Sequence, residues 1–198
     1  MNSNTPVSYE RFKTNMMTLF DIVYEMFEDA QEHKIITSRL GILKVLKICI
    51  KSCSGEKMIK NFIKRSHLFW DKIREKDIDY FKNMGLDLFN DFQEKGLEEV
   101  KNREELEDSS GFIKNLSGDH ITTFKKILES SYEYEGETFD IFDEERKNDV
   151  WQIMHSFVKI SLIYIHENRK KVDGKYTVEF FPEIKVKQNA LDWGVKTI

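Results

Sequence analysis

Lys44, Lys47 and Lys51, followed by Lys57, Lys60, Lys64 and Arg65, come nearest to a recognisable chemistry in this chain, the binding of a polyanion. Within each set the lysines recur at intervals of three and four, which places them along one face of a helix. The basic residues begin earlier, with Lys34 and Arg39, and Glu56 is the only acid between Lys34 and Arg65. If two such helices pair antiparallel through the tight Ser52-Cys53-Ser54-Gly55 connection, both stripes join one positive surface. That surface would neutralise several phosphates and give salt-sensitive, sequence-independent nucleic-acid binding. Against this, lysine dominates over planar arginine, and Phe62, Phe69 and Trp70 fall on the core side and cannot stack bases. A solvated helix face is the commoner use of a charge run.

Other candidate chemistries are thinner. Cys49 and Cys53 stand four apart with His67 fourteen residues further on, but structural zinc uses a second close ligand pair, and none exists. A bridge within one helix is strained, so reduced thiols are expected, in a cytosol-like compartment. His155 and His166 are three helical turns apart, ~16 Å at ~1.5 Å per residue, too far to share a metal or a proton. Each is expected to be a satisfied polar residue beside the core. Asp71, Asp77 and Asp79 cluster on one segment, whereas a two-metal site needs carboxylates converging from several elements. There is no phosphate-binding G-x-x-x-x-G-K-[ST], no Rossmann glycine run, no nucleophile elbow and no H-E-x-x-H. No catalytic residue, cofactor site or metal site is assigned, and the expectation is a protein that is not an enzyme.

The acids are sorted as strongly as the bases. Asp87 to Asp108 and Glu129 to Asp149 are acid-rich, and Glu94, Glu98, Glu99, Glu104, Glu105, Glu107 and Asp108 could face the basic helices, within one chain or across a dimer. Complementary charge of this kind supplies register and encounter rate more than affinity. The Phe-rich first or last helix would then supply the apolar patch that a homodimer needs.

The elements that must carry these residues are helical. Only two prolines occur in 198 residues and none between Val7 and Phe181, which permits long helices, and 15 phenylalanines point to an aromatic core. Six helical segments follow from apolar periodicity. The first starts after Pro6 with Ser8 as cap and carries Phe12, Met16, Leu19, Phe20, Val23, Phe27 and Ala30. The second, capped near Thr37 or Ser38, carries Leu40, Leu43, Leu46 and Ile50. The third runs through Ile59, Phe62, Ile63, Trp70 and Ile73, and the fourth, which Asp77 would cap, through Phe81, Met84, Leu88 and Phe92. A short fifth, capped by Asp119, holds Ile121, Phe124, Ile127 and Leu128, and an acidic connector spans Tyr132 to Glu137. The sixth begins near Asp140 or Asp143, carries Val150, Trp151, Met154, Phe157, Val158, Ser161, Leu162 and Ile165, and closes with Arg169, Lys170 and Lys171. Asp173-Gly174 then marks a hairpin turn before Tyr176, Val178 and Phe180.

The expected fold is thus mainly α, a single-domain bundle of about six helices over residues 1–198 with a short C-terminal β-hairpin or strand. Residues 97–118 read as a mobile acidic loop and 182–198 as a tail that packs on the domain or a partner. The net charge of −4 gives no global attraction to nucleic acid or anionic membrane. The polar opening Met1–Pro6 and the lysine-interrupted apolar stretches lead to the expectation of neither secretory leader nor membrane span.

Two segments carry a resemblance: FIKRSHLFWDKIREKDIDYF (Phe62 to Phe81) and VWQIMHSFVKISLIYIHENRKK (Val150 to Lys171). The pair Phe69-Trp70 followed by Asp77, Asp79 and Phe81, together with Trp151 and Phe157 to His166, resembles uncharacterised helical proteins of giant nucleocytoplasmic DNA viruses, especially the marseillevirus-like ones. The resemblance covers about a third of the chain and consists of packing patterns. It implies viral origin, an all-helical fold and residence in the virion or the infected-cell cytoplasm, with no transferable activity; a viral or host protein is a further expected partner. The resulting expectation is a non-enzymatic structural or interaction protein that self-associates, with nucleic-acid binding through the Lys44 to Arg65 surface as the alternative.

Overall fold

A computed structural model describes residues 7–37, 41–81, 118–168, 170–172, 175–177 and 193–194. The fold is mainly α. Its elements are α1 (Val7–Glu32), α2 (Gly41–Ser52), α3 (Gly55–Ser66), a 3-10 turn (His67–Phe69), α4 (Trp70–Glu75), α5 (Gly118–Leu128), β1 (Ser131–Tyr134), β2 (Glu137–Asp140), α6 (Glu144–Asn168), β3 (Lys170–Val172) and β4 (Lys175–Thr177). The chain divides into two compact units. The first comprises residues 1–28, 39–76 and 144–198, and the second 29–38 and 77–143.

The first unit is organised on α6, against which α3 and α4 pack. Phe12 of α1, Phe62 of α3 and Phe157 of α6 form its aromatic centre. The Phe12 and Phe157 ring centroids are 4.4 Å apart, with Phe62 at 5.7 Å from the former and 5.3 Å from the latter. Each such pair contributes about 0.5–1.5 kcal/mol beyond its area burial. The expected stripe of α6 is too narrow: Ile153, Ile160 and Tyr164 are buried along with Trp151, Phe157, Val158, Ser161, Leu162 and Ile165. On α1, Phe12, Phe20 and Ala30 are buried as expected. Met26 is buried too; the expected set left it out, but it lies three residues after Val23 and four before Ala30, on the same helical face.

The third segment does not run straight on. It begins with Ser54, whose extended backbone (φ −73°, ψ 145°) lets its hydroxyl accept the Lys57 N–H at 3.3 Å. It then breaks at the 3-10 turn between Ser66 and Trp70. There the Trp70 indole N–H donates to Ser66 Oγ at 2.9 Å, and that hydroxyl donates to the Phe62 carbonyl at 2.7 Å. A serine on the core side is accommodated because both its hydrogen-bonding roles are filled. Lys76, at φ 56°, terminates α4 in the left-handed conformation. Asp77 then takes the capping role expected of it, its carboxylate accepting the Tyr80 N–H at 3.0 Å at the start of helical residues 78–81.

In the second unit, the expected acidic connector from Tyr132 to Glu137 is instead an antiparallel hairpin. Tyr132 pairs with Phe139 and Tyr134 with Glu137. The turn residues Glu135 and Gly136 both have positive φ, 53° and 85°, the combination that matches the twist of a two-residue hairpin. Ala30, Ile36, Ile127, Ile141 and Phe142 are the buried apolar side chains among the described residues of this unit, and the Ile141 N–H donates to the Ser130 carbonyl at 3.0 Å to close the hairpin base. α5 starts at Gly118, so Asp119 lies inside the helix and not at its cap.

The C-terminal hairpin expected at Asp173-Gly174 is present as β3 paired antiparallel with β4. It claims Lys170 and Lys171 as strand residues, so they do not close α6, which ends at Asn168. Met84, Leu88, Phe92, the acidic run 94–108 and residues 178–192 lie outside the described residues, as do Leu40 and Ser38. Of the segment 97–118 only Gly118 is described, and of the tail 182–198 only Trp193 and Gly194. Trp193 is buried and stands edge-on to His155, with ring centroids 5.1 Å apart.

Candidate interaction surfaces

The lysine stripes lie on α2 and α3 as the periodicity requires, but the middle lysine of each is neutralised locally. Lys47 Nζ is 2.8 Å from Asp21 Oδ1 on α1 and 5.5 Å from the centroid of the Phe20 ring. Lys60 Nζ is 2.8 Å from Glu56 Oε1, one helical turn back on α3, and the same oxygen accepts the Tyr164 hydroxyl of α6 at 3.2 Å. The bond from Lys60 holds the Glu56 carboxyl below its usual range. The same bond raises the Lys60 ammonium, and burial pushes the Tyr164 phenol up. Lys47 thus ties α2 to α1, while Lys60 pairs within α3 with the carboxylate that Tyr164 joins to α6. Lys44, Lys51 and Lys57 are exposed and have no ion pair among the described residues, and Lys64 and Arg65 are exposed on the last turn of α3. Lys13 of α1 donates to the Lys51 carbonyl at 2.6 Å, which anchors the end of α2 while leaving the Lys51 ammonium outward.

The remaining candidate chemistries resolve into structure. Cys49 and Cys53 are free thiols, the first exposed, joined only through the Cys53 N–H to the Cys49 carbonyl at 3.0 Å. His67 turns its Nδ1 to the Ile63 carbonyl at 3.0 Å. Among the described residues no group of three or more His, Cys, Asp or Glu side chains is placed to hold a metal ion. His155 is satisfied as expected: its Nε2 donates to the Ile73 carbonyl at 2.9 Å, which fixes that nitrogen as the protonated one in the neutral ring. His166 departs from expectation, since its Nδ1 is buried without a hydrogen-bond partner among the described residues, as is the hydroxyl of Ser161. No helix among the described residues is long and apolar enough to cross a membrane.

Five large apolar side chains are exposed among the described residues, Val7 at the start of α1, Leu68 in the 3-10 turn, Ile48, Tyr134 and Phe139, and the last three stand beside charged groups of one sign. Ile48 on α2 is 66% exposed, and it sits four residues after Lys44 and three before Lys51, on the same helical face. On the β1–β2 hairpin, Tyr134 is 58% and Phe139 39% exposed. The strand pairing puts Tyr132, Tyr134, Glu137 and Phe139 on one face of the hairpin. Tyr132 is held there by stacking on His33 at 3.6 Å and 10°, and Phe139 stacks on Tyr132 at 5.7 Å. Glu137 is exposed on the same face and Glu135 in the turn beside it, while Glu133 and Asp140 are exposed on the opposite face. The alternation of tyrosines with glutamates across a Glu-Gly pair was the sequence signal for this face.

Compared with protein-family models, with curated proteins and with solved structures, the chain finds no match in any of the three.

Proposed function

We propose that this chain is a non-enzymatic interaction protein of a large DNA virus that self-associates and acts in the virion or the infected-cell cytoplasm. The viral part of this reading is supported by the resemblance of Phe62–Phe81 and Val150–Lys171 to helical proteins of such viruses. Trp70, Ile73, Trp151, Phe157 and Ile165 within those segments are core residues, in keeping with a resemblance of packing. The interaction part rests on one observation: large apolar side chains lie open to solvent on elements of opposite charge, Ile48 between lysines and Tyr134 among glutamates. Apolar surface rimmed by charge is the composition of a contact between folded surfaces. Sedimentation or light scattering over a concentration series tests it. A rising mass supports self-association, and a strict monomer at tens of micromolar removes it.

A second reading, binding of a polyanion such as duplex nucleic acid, is favoured by the exposed ammonium groups of Lys44, Lys51 and Lys57. A duplex titration at two salt concentrations decides it. Binding that weakens with salt and disappears when Lys44, Lys51 and Lys57 become Glu supports it; absence of binding at low salt ends it.

A further inference from the structure

We infer that the aromatic, acidic face of the β1–β2 hairpin docks on the Lys44–Ile48–Lys51 face of α2 in a second copy of the chain. This rests on the self-association proposed above and names the surfaces that would carry it. The two faces are matched in kind. On α2, an apolar side chain 66% exposed is flanked by one ammonium group a turn before it and one a turn after it, neither in an ion pair among the described residues. On the hairpin, Tyr134 and Phe139 are open to solvent while Glu137 lies directly across from Tyr134, and Glu135 stands in the turn next to it. An isoleucine over an aromatic face, with lysines reaching outward to carboxylates, satisfies both surfaces at once.

Two features make the hairpin a presented surface. Its type of turn holds Tyr134 and Glu137 in fixed register, and the stack of Phe139 on Tyr132 on His33 braces the face from one end, so little ordering is needed on contact. In addition, β1 and β2 form a two-stranded sheet among the described residues. The choice of α2 over α3 as the partner follows from Ile48. Lys57 and Lys64 are exposed on α3, yet the exposed apolar side chain nearest them, Leu68 at 76%, lies beyond that helix in the 3-10 turn, one turn before Lys72, which is paired with Glu75. Lys47, tied to Asp21, stays out of the contact and keeps α2 in place beneath it. A contact this small and this charged is expected to be weak and salt-sensitive, with charge setting register and encounter rate.

The test is charge reversal in the full chain, read as the concentration dependence of mass. Glu135→Lys with Glu137→Lys, and separately Lys44→Glu with Lys51→Glu, are each expected to weaken self-association about tenfold or more, from like charges brought together. An equimolar mixture of the two variants is expected to associate as the native chain does, since a basic hairpin then meets an acidic α2. Restoration in the mixture also shows that both variants are folded. If the native chain associates and either reversal leaves it unchanged, or if the mixture stays as weak as its components, the docking of hairpin on α2 is wrong while self-association stands. If the native chain is itself a monomer at tens of micromolar, self-association fails first.

Discussion

The Trp70 indole N–H donates to the hydroxyl of Ser66, 2.9 Å away, inside the break that separates α3 from α4. Ser66→Ala leaves that indole N–H buried without a partner, which costs about 1–3 kcal/mol. Urea denaturation of S66A is expected to show this loss. The double variant Ser66→Ala with Trp70→Phe is expected to recover part of it, because the stranded donor is removed along with its acceptor. Equal stability of S66A and the native chain would mean that the bond contributes nothing.

The opposite sign is expected at Ser161, fully buried on α6 with its hydroxyl unpartnered among the described residues. Burial of an unsatisfied hydroxyl costs about 1–3 kcal/mol, so Ser161→Ala removes a penalty and loses almost no volume. A rise of about 1 kcal/mol in unfolding free energy is the expected outcome. A fall would reveal a partner for that hydroxyl, such as a buried water.

Gly55 opens α3 where the chain passes the backbone of Tyr9. A Cβ at Gly55 would collide with the Tyr9 carbonyl oxygen and stand 2.8 Å from its carbon, neither of which is the yielding end of a flexible side chain. Gly55→Ala should therefore destabilise by about 1–3 kcal/mol through displacement of the start of α1, although alanine is the better helix former. Thermal unfolding measures it. A melting temperature at or above that of the native chain would contradict the close approach.

Acid should weaken the first unit through His155. Burial holds its imidazole below the ordinary 6.5, helped by the charges of Lys76 and Lys159 and opposed by its bond to the Ile73 carbonyl. The unfolded chain therefore binds the proton more readily. The stability that neutral His155 contributes is complete above pH 6.5 and is lost as pH falls through its depressed folded value. Glu56, lowered by its bond from Lys60, adds a loss of the same sign at lower pH, below 4.5. Denaturation across this range should show stability falling toward acid, with a shallower fall in His155→Gln below pH 6.5. An identical slope in that variant would assign the effect to other groups.

Much of this architecture is legible from residue order alone. Helices with apolar faces follow from spacing, and the cap at Asp77 follows from a side chain that accepts a backbone N–H group. The C-terminal hairpin follows from a turn pair with a known backbone preference. Those are local properties, set by residues within a few positions of each other. The break at Ser66 was not legible, because it depends on what Trp70 meets when α3 and α4 pack on α6.

The same division holds for the candidate surfaces. Sequence alone determined that lysines run along α2 and α3, since helical spacing is all that is required. Only the tertiary structure decided which of those charges remain available. Lys47 is consumed by Asp21, 26 positions away, and Glu56 beside Lys60 is completed by Tyr164, 108 positions away. It also decided that Ile48 and Tyr134 stay at the surface while Met26 and Ile153 do not. Apolar type is written in the sequence, but burial depends on which distant side chain arrives to exclude water.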